Sequence, residues 1–316
     1  MIDEATGLPR TQFRREGNSI TYKAPHLLIK EGQADKQFCA SYLDFDCSFR
    51  RTIYGISAPD KAEELKLLTA YLNSSFASYI MFLTASDWGV ERERVSPNEM
   101  LALPSLCFGL PPVTKQHIVR LFDEIITIQK ADFPNFLGDL QRVEQQIEKH
   151  FWDGLGLSGT ERILIENLLA YRLNAFQDRE KSAAFRPCTS AGVREYAGTL
   201  CQTVNHFIGS DAGLRAHAAY FSPAGRPPLQ VLALHLNDKS TANAVVELPT
   251  AGLSHILREI EAYTYREKSE SIYYRRFIKY YVDDVVYLVK PNERRFWSQA
   301  SALSDADEII AEILSA

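Results

Sequence analysis

No apolar run in this sequence approaches the ~20 residues that a membrane-spanning helix needs, and the opening MIDEATGLPR lacks the hydrophobic centre of a signal peptide. Cysteine is sparse and scattered: Cys39, Cys47, Cys107, Cys188 and Cys201 form no C-x-x-C pair. With no export signal, that pattern predicts reduced thiols in the cytoplasm rather than a disulfide framework. The seven histidines (His26, His117, His150, His206, His217, His235, His255) stand far apart, with no zinc-like spacing to a cysteine, so no metal centre is expected. Positive charge is also short, with 35 Lys and Arg against 40 Asp and Glu and a net charge of −5. An acidic whole argues against tight, autonomous, non-specific binding to nucleic acid, because phosphate contacts favour a basic surface. It leaves room for a local basic patch. No internal repeat appears at any fixed period.

What is present is an ordinary globular composition, 46% hydrophobic and 24% charged over 316 residues, enough for two or three packed units. The expected class is α+β: a small β-rich unit over 1–110, a helical spacer over 111–180 and a C-terminal α+β unit over 181–316. The first twenty residues are polar and aperiodic and read as an arm or a cut end. ITYKAPHLLIK and QFCASYLDFDCSFRRTIYGI then alternate aromatic or aliphatic with polar residues, as short strands do. Arg50, Arg51 and Tyr54 close that unit before the turn Ser57-Ala58-Pro59-Asp60. They read either as solvated edge-strand residues or as a loop that meets phosphate.

Asp60 reads as the N-cap of one long helix, about Lys61 to Ala85, with Leu65, Leu68, Leu72, Ala77, Ile80 and Phe82 on its apolar face. Asn73, Ser74 and Ser75 interrupt that face with small polar side chains. Gly89 after Trp88 suits a chain reversal, and Glu91 to Arg94 alternate in sign. Ser96-Pro97-Asn98-Glu99 is a capping box with proline at the first helical position, and Pro104 ends the short helix it starts. Helices follow at about Lys115–Lys130 and Leu137–Phe151. Gly154 to Gly159 spells G-x-G-x-x-G, but a charged helix precedes it where a dinucleotide site needs a strand. It reads instead as a glycine stop followed by the cap Ser158-x-x-Glu161 and a helix to about Phe176. SAAFRPCTSAG loosens the composition and marks a boundary. Beyond it come a helix at about 192–208, three strands, a helix at about 252–263, and the strands IYYRRFIKYYV and DVVYLVKP. A last helix follows, with Asp and Glu expected in its first turn.

Catalytic patterns are thin. Asp46 with Glu64-Leu65-Lys66 imitates the acidic/E-x-K arrangement of metal-dependent nucleases, although the E-x-K falls on a helix surface where a solvated charge face is expected. No Ser or Cys sits in a nucleophile elbow. Between Tyr273 and Trp297, Arg275, Arg276, Lys279, Lys290, Arg294 and Arg295 interleave with aromatics, which fits either a half-buried hairpin or a nucleic-acid surface.

Three blocks resemble the specificity region of restriction-modification adenine-N6 DNA methyltransferases. They are PHLLIKEG with YLDFDCSFRRTIYGI, then LNSSFASYIMFLTASDWGVERERVSPNEMLALP, then YYRRFIKYYVDDVVYLVKPNERRFWSQASALSDADEII; FWDGLGLSGTERILIENLLAYRLNAF is similar to the helical spacer of such proteins. The family's catalytic half carries an Asn/Asp-Pro-Pro-aromatic signature that grips the flipped adenine. Here Pro111-Pro112 and Pro227-Pro228 are not followed by an aromatic, and no glycine-rich turn follows an early strand. The resemblance therefore implies a non-catalytic recognition module, either a separate specificity subunit or the C-terminal portion of a longer enzyme. Its partners would be double-stranded DNA and an adenine-N6 methyltransferase subunit or domain, with no membrane. No cofactor is expected in this chain, and S-adenosylmethionine would sit on the methylase. By the same resemblance the DNA-contacting residues would be Arg50, Arg51, Tyr54, Trp88, Arg92, Arg94, Arg275, Arg276 and Lys279. An assembly subunit without base readout and an unrecognised metal-dependent nuclease are the other readings.

Overall fold

The structure, a computed structural model, describes residues 19–32, 39–49, 52–86, 88, 94–130, 136–177, 179–209, 213–223, 226–237, 244–249, 252–266 and 278–315. It is a mixed α+β protein with two sheets among those residues. The chain divides into two compact units, Met1–Arg162 and Ile163–Ala316.

In the first unit, β1 (His26–Lys30) lies between β2 (Ala40–Leu43) and β3 (Ile53–Ser57), antiparallel to both. The register puts Leu27 and Ile29 on one face with Tyr42, Ala40 and Tyr54, and α1 (Ala62–Leu72) packs on β1 and β2. The expected single helix from Lys61 to Ala85 is in fact two. α1 ends at Asn73, and α2 (Ser75–Thr84) restarts with the Ser74 side chain accepting from the Ala77 amide at 3.1 Å. Asp60 is not the cap of α1, because Lys61 occupies that position and makes no side-chain cap bond. α3 (Pro97–Ala102) begins at the capping box read from the sequence, with both reciprocal bonds between Ser96 and Glu99 made. α4 (Pro112–Lys130) and α5 (Phe136–Gly154) pack against each other and bury Ile118, Leu121, Phe122 and Val143, Ile147, Phe151, with Phe122 meeting the Tyr42 ring of β2 and Phe151 the Tyr71 ring of α1. Ser158 and Glu161 exchange the expected bonds at the start of α6 (Gly159–Asn167), which runs through a π-helical segment, Leu168–Leu173, into α7 (Asn174–Gln177).

The second unit is built on a five-stranded sheet in the order β6-β4-β5-β8-β7, with β4 Arg215–Phe221, β5 Leu229–Asn237, β6 Val245–Leu248, β7 Ile278–Val282 and β8 Val285–Pro291. All pairs are antiparallel except β4 with β6. α8 (Ser190–Ile208) and α10 (Gln299–Ser315) bury Val193, Leu200, Ala302 and Ile309 against Ala218, Leu232, Val286 and Leu288 on one face. α9 (Leu253–Arg266) covers Phe221, Val231 and Val289 on the other. The acidic residues of α10 are not in its first turn, since the helix starts at Gln299 and the first of them is Asp305.

One of those acids is in the core. Alternation along β8 turns Lys290 to the same face as Val286 and Leu288, and it is 2% exposed. A bare ammonium there would be very costly. Asp305 of α10 meets it directly, the Tyr196 hydroxyl donates to the same carboxylate, and Lys290 also donates to the Phe296 carbonyl at 3.2 Å. Tyr196 and Trp297 wall the ammonium, with ring centroids at 4.8 and 5.5 Å. Burial, reinforced by the Asp305 charge, raises the Tyr196 hydroxyl far above its ordinary range. Removing one partner strands the other, so Asp305→Ala is expected to lower stability by about 3–5 kcal/mol. Replacing the pair together (Lys290→Met with Asp305→Leu) should recover most of that loss. Urea unfolding of the two variants checks this.

Candidate functional site

The described residues of 71–104, a stretch that takes in the second resembling block at Leu72–Pro104, are tied together by side-chain hydrogen bonds. Each residue of the break between α1 and α2 satisfies a different backbone or side-chain need. The Asn73 amide accepts from the Ala40 N–H at 2.9 Å and donates to the Ala40 carbonyl at 2.8 Å, so it pairs with β2 as a peptide would. Ser74 caps α2. The amide of Ser75 donates to both Glu148 carboxylate oxygens at 3.2 Å, and its hydroxyl also donates to Glu148. A carboxylate at the first turn of α2 also suits the helix dipole. Trp152 Nε1 donates to Glu148 at 2.7 Å, and the Arg162 guanidinium lies over the Trp152 ring at 5.5 Å. Tyr71, which precedes the block, donates through its hydroxyl to the carbonyl of Pro104, its last residue, at 2.6 Å.

The loop between α2 and α3 is closed at its base by Glu99. One carboxylate oxygen accepts from the Ser86 amide at 2.7 Å and the Ser86 hydroxyl at 2.8 Å, while the other accepts from the Ser96 amide at 2.8 Å. Those donors pull the Glu99 carboxyl down to about 2, with the Ser86 amide first among them. Arg94 forms a bridge with Gly32, and the Val95 amide donates to the Glu31 carbonyl at 3.2 Å, so the outgoing limb is held against the end of β1. Trp88 packs edge-on to Phe82 with centroids 6.0 Å apart.

The residues expected at a DNA face are therefore distributed as follows. Arg94 is exposed at the base of the loop. Tyr54 is half-buried on the α1 side of the sheet. Trp88, expected at the DNA face, is 1% exposed and belongs to the core, because its ring fills the space beside Phe82. Lys279 is tied to Glu308 at 3.3 Å and to Glu312, both on α10. Arg50, Arg51, Arg92, Arg275 and Arg276 lie outside the described residues. Several other cations of the first unit are engaged by carboxylates: Lys66 by Asp123, Lys130 by Asp44 and Arg142 by Glu124.

The carboxylates of the nuclease reading are separately engaged, Asp46 with Lys23 and the Ala24 amide and Glu64 with Lys61. No group of three or more His, Cys, Asp or Glu side chains suited to a metal ion occurs among the described residues. His26 faces the Cys47 thiol at 3.4 Å, but burial and the Asp46 charge raise that thiol, the opposite of what a nucleophile needs. All five cysteines are free, and burial pushes Cys107, Cys188 and Cys201 up to about 12. Among the described residues no helix is long and apolar enough to cross a membrane.

No family model, curated protein or solved structure matches this chain. What the site can do rests on its own geometry: Arg94, exposed and bridged through its backbone to Gly32, stands beside a small sheet. Sequence reasoning marked Asn73, Ser74 and Ser75 only as small polar interruptions and missed Glu148 and Trp152 entirely, since their partners lie 73 positions and one helical turn away.

Glu99 makes the closure pH-dependent. Its folded-state value of about 2 lies below the usual 4.5, so its stabilising contribution is complete above the higher figure and is lost as pH falls toward the lower. Glu99→Gln should remove it at neutral pH, speeding amide exchange at Ser86 and Ser96 roughly tenfold while leaving the β1–β3 amides unchanged. Hydrogen-exchange mass spectrometry reads both outcomes.

Proposed function

We propose that this chain is a DNA sequence-recognition module that delivers target duplex to an adenine-N6 methyltransferase of a restriction-modification or phage-defence system. The observation that carries the reading is the loop between Ser86 and Ser96. Ser86 and Ser96 are fixed there by one carboxylate and Arg94 by its bridge to Gly32 at the end of β1, and Arg94 closes the alternating run Glu91 to Arg94 that the resembling block contains in sequence. A guanidinium held in place loses less freedom on pairing with a base edge than one on a free loop. Asn73 and Glu148 support the same reading, since they set the angle between the sheet and the helix that leads into the loop. In this reading the chain has no catalytic residue, and the methylase supplies S-adenosylmethionine and the chemistry. The net charge of −5 fits a module that binds DNA together with its partner rather than alone.

An assembly role without base readout is the second reading. The first unit exposes Leu101 at 79%, with Leu106 and Phe108 at 41%, next to α3, which is more apolar surface than a free helix end needs.

Gel shifts at two salt concentrations, with and without the methylase, separate the two. The recognition reading expects a sequence-dependent shift that weakens with salt and strengthens with the methylase. Replacing Arg92 and Arg94 by Ala should cost roughly tenfold or more in discrimination between target and altered site, the scale of one bidentate base contact. A stable complex with the methylase whose DNA affinity is unchanged by that double substitution would transfer the function to assembly.

A further inference from the structure

The second unit carries a basic corner that none of the recognition residues above includes. Two 3-10 turns meet there, Ala183–Phe185 and Arg294–Phe296, joined by a hydrogen bond from the Arg294 amide to the Arg186 carbonyl at 3.0 Å. Two guanidinium groups lie against one ring: Arg295 is 4.4 Å and Arg179 5.3 Å from the centroid of Phe185, and Arg295 is also 4.6 Å from Phe296. Arg186 reaches back to the Lys181 carbonyl, at 3.4 Å a long contact that absorbs little of its donor capacity. Arg294 Nε is buried and has no hydrogen-bond partner among the described residues. Residues 178–186 and 292–296 hold five basic side chains against the acids Asp178, Glu180 and Glu293, so the corner is net positive in a chain of net −5. Glu293 is engaged with Arg295 Nε at 2.7 Å.

Two like charges on one aromatic ring repel each other, and the arrangement gains most when an anion lies across both. Stacking uses the face of a guanidinium and leaves its in-plane N–H groups, apart from the Arg295 Nε that Glu293 holds, directed outward in the geometry that grips phosphate oxygens. The backbone here is held rigidly: the Asn292 side chain donates to the Pro227 carbonyl at 2.9 Å and accepts from the Cys188 amide at 3.0 Å. Arg179, Arg186 and Arg295 are all exposed. Separate exposed guanidinium groups on two adjoining turns suit an extended row of phosphates better than a single small anion.

We propose that this corner contacts the phosphate backbone of duplex DNA, fixing its register without reading sequence; this rests on the recognition function proposed above. Phosphate contacts of this kind set affinity and its salt dependence, while base contacts set discrimination.

Fluorescence anisotropy with the full chain at low ionic strength, using a target duplex and a scrambled one across a salt series, tests it. Replacing Arg179 and Arg186 by Gln should weaken binding to both duplexes by the same factor and reduce the log–log salt slope by about 1–2, since each neutralised phosphate contributes about 0.9. Arg295→Gln alone should reduce it by about 1. The matching Lys substitutions should retain most of the slope, and thermal melting of every variant reports whether the fold is intact. Folded Gln variants with unchanged affinity and slope overturn the corner proposal. If Arg94→Ala still abolishes target preference in that case, the recognition reading survives without it. Equal binding to both duplexes by the unaltered chain, lost in the Gln variants, upholds the corner and overturns sequence recognition. No binding to either duplex, with the methylase present as well as absent, overturns both.

Discussion

A chain that leaves helical or strand geometry inside a protein must still satisfy its backbone polar groups, and residues 71–104 are shaped by that requirement. Five backbone donors or acceptors would be left open, two on β2 at Ala40, one at the start of α2 and one at each end of the segment leading to α3. Side chains close them: Asn73 toward β2, Ser74 toward the start of α2, and Glu99 toward both ends of the loop. The Tyr71 hydroxyl does the same for the Pro104 carbonyl. A stretch that departs twice from regular structure is thereby fixed at both ends, which allows an exposed arginine to occupy a constant position.

The second unit answers a different demand. Its sheet is sandwiched, so the inward face of β8 has no water to offer Lys290. The ion pair with Asp305, shared with Tyr196, ties β8, α8 and α10 at one point. Apolar packing would hold those elements at a similar distance, but it would not select the register of α10 on the sheet so sharply. Gln230, opposite Lys290 in the β5–β8 pairing and equally buried, extends the polar centre toward Phe221.

Local chemistry was legible in the sequence, and distant pairing was not. The Ser96/Glu99 and Ser158/Glu161 caps, the glycine stop after α5 and the strands of the second unit follow from spacings of two to four residues, and the structure has them. The break at Asn73 was visible as a run of small polar residues. Its outcome was not, because the helix is interrupted by what Asn73 gains from Ala40, 33 positions earlier. Strand alternation alone puts Lys290 inward with Leu288, yet its partner sits 15 residues on, in another helix. Trp88 failed as a surface candidate for the same reason: a sequence shows that a large ring is present, not which neighbour covers it. Lys279 was a candidate DNA contact in the sequence, where nothing ties it to Glu308 and Glu312, which reach it only through the placement of α10.

The double hydrogen bond from Asn73 also bears on how the molecule behaves toward copies of itself. β2 is an outer strand of its sheet, and Ala40 turns its N–H and carbonyl away from β1. Such an outward pair is where a foreign strand would dock and where sheet growth between molecules begins. A single side-chain amide already occupies it, with the donor and acceptor spacing of a peptide. The helix break thus ends the sheet as well as the helix, and it does so with one residue where a whole covering element would otherwise be needed.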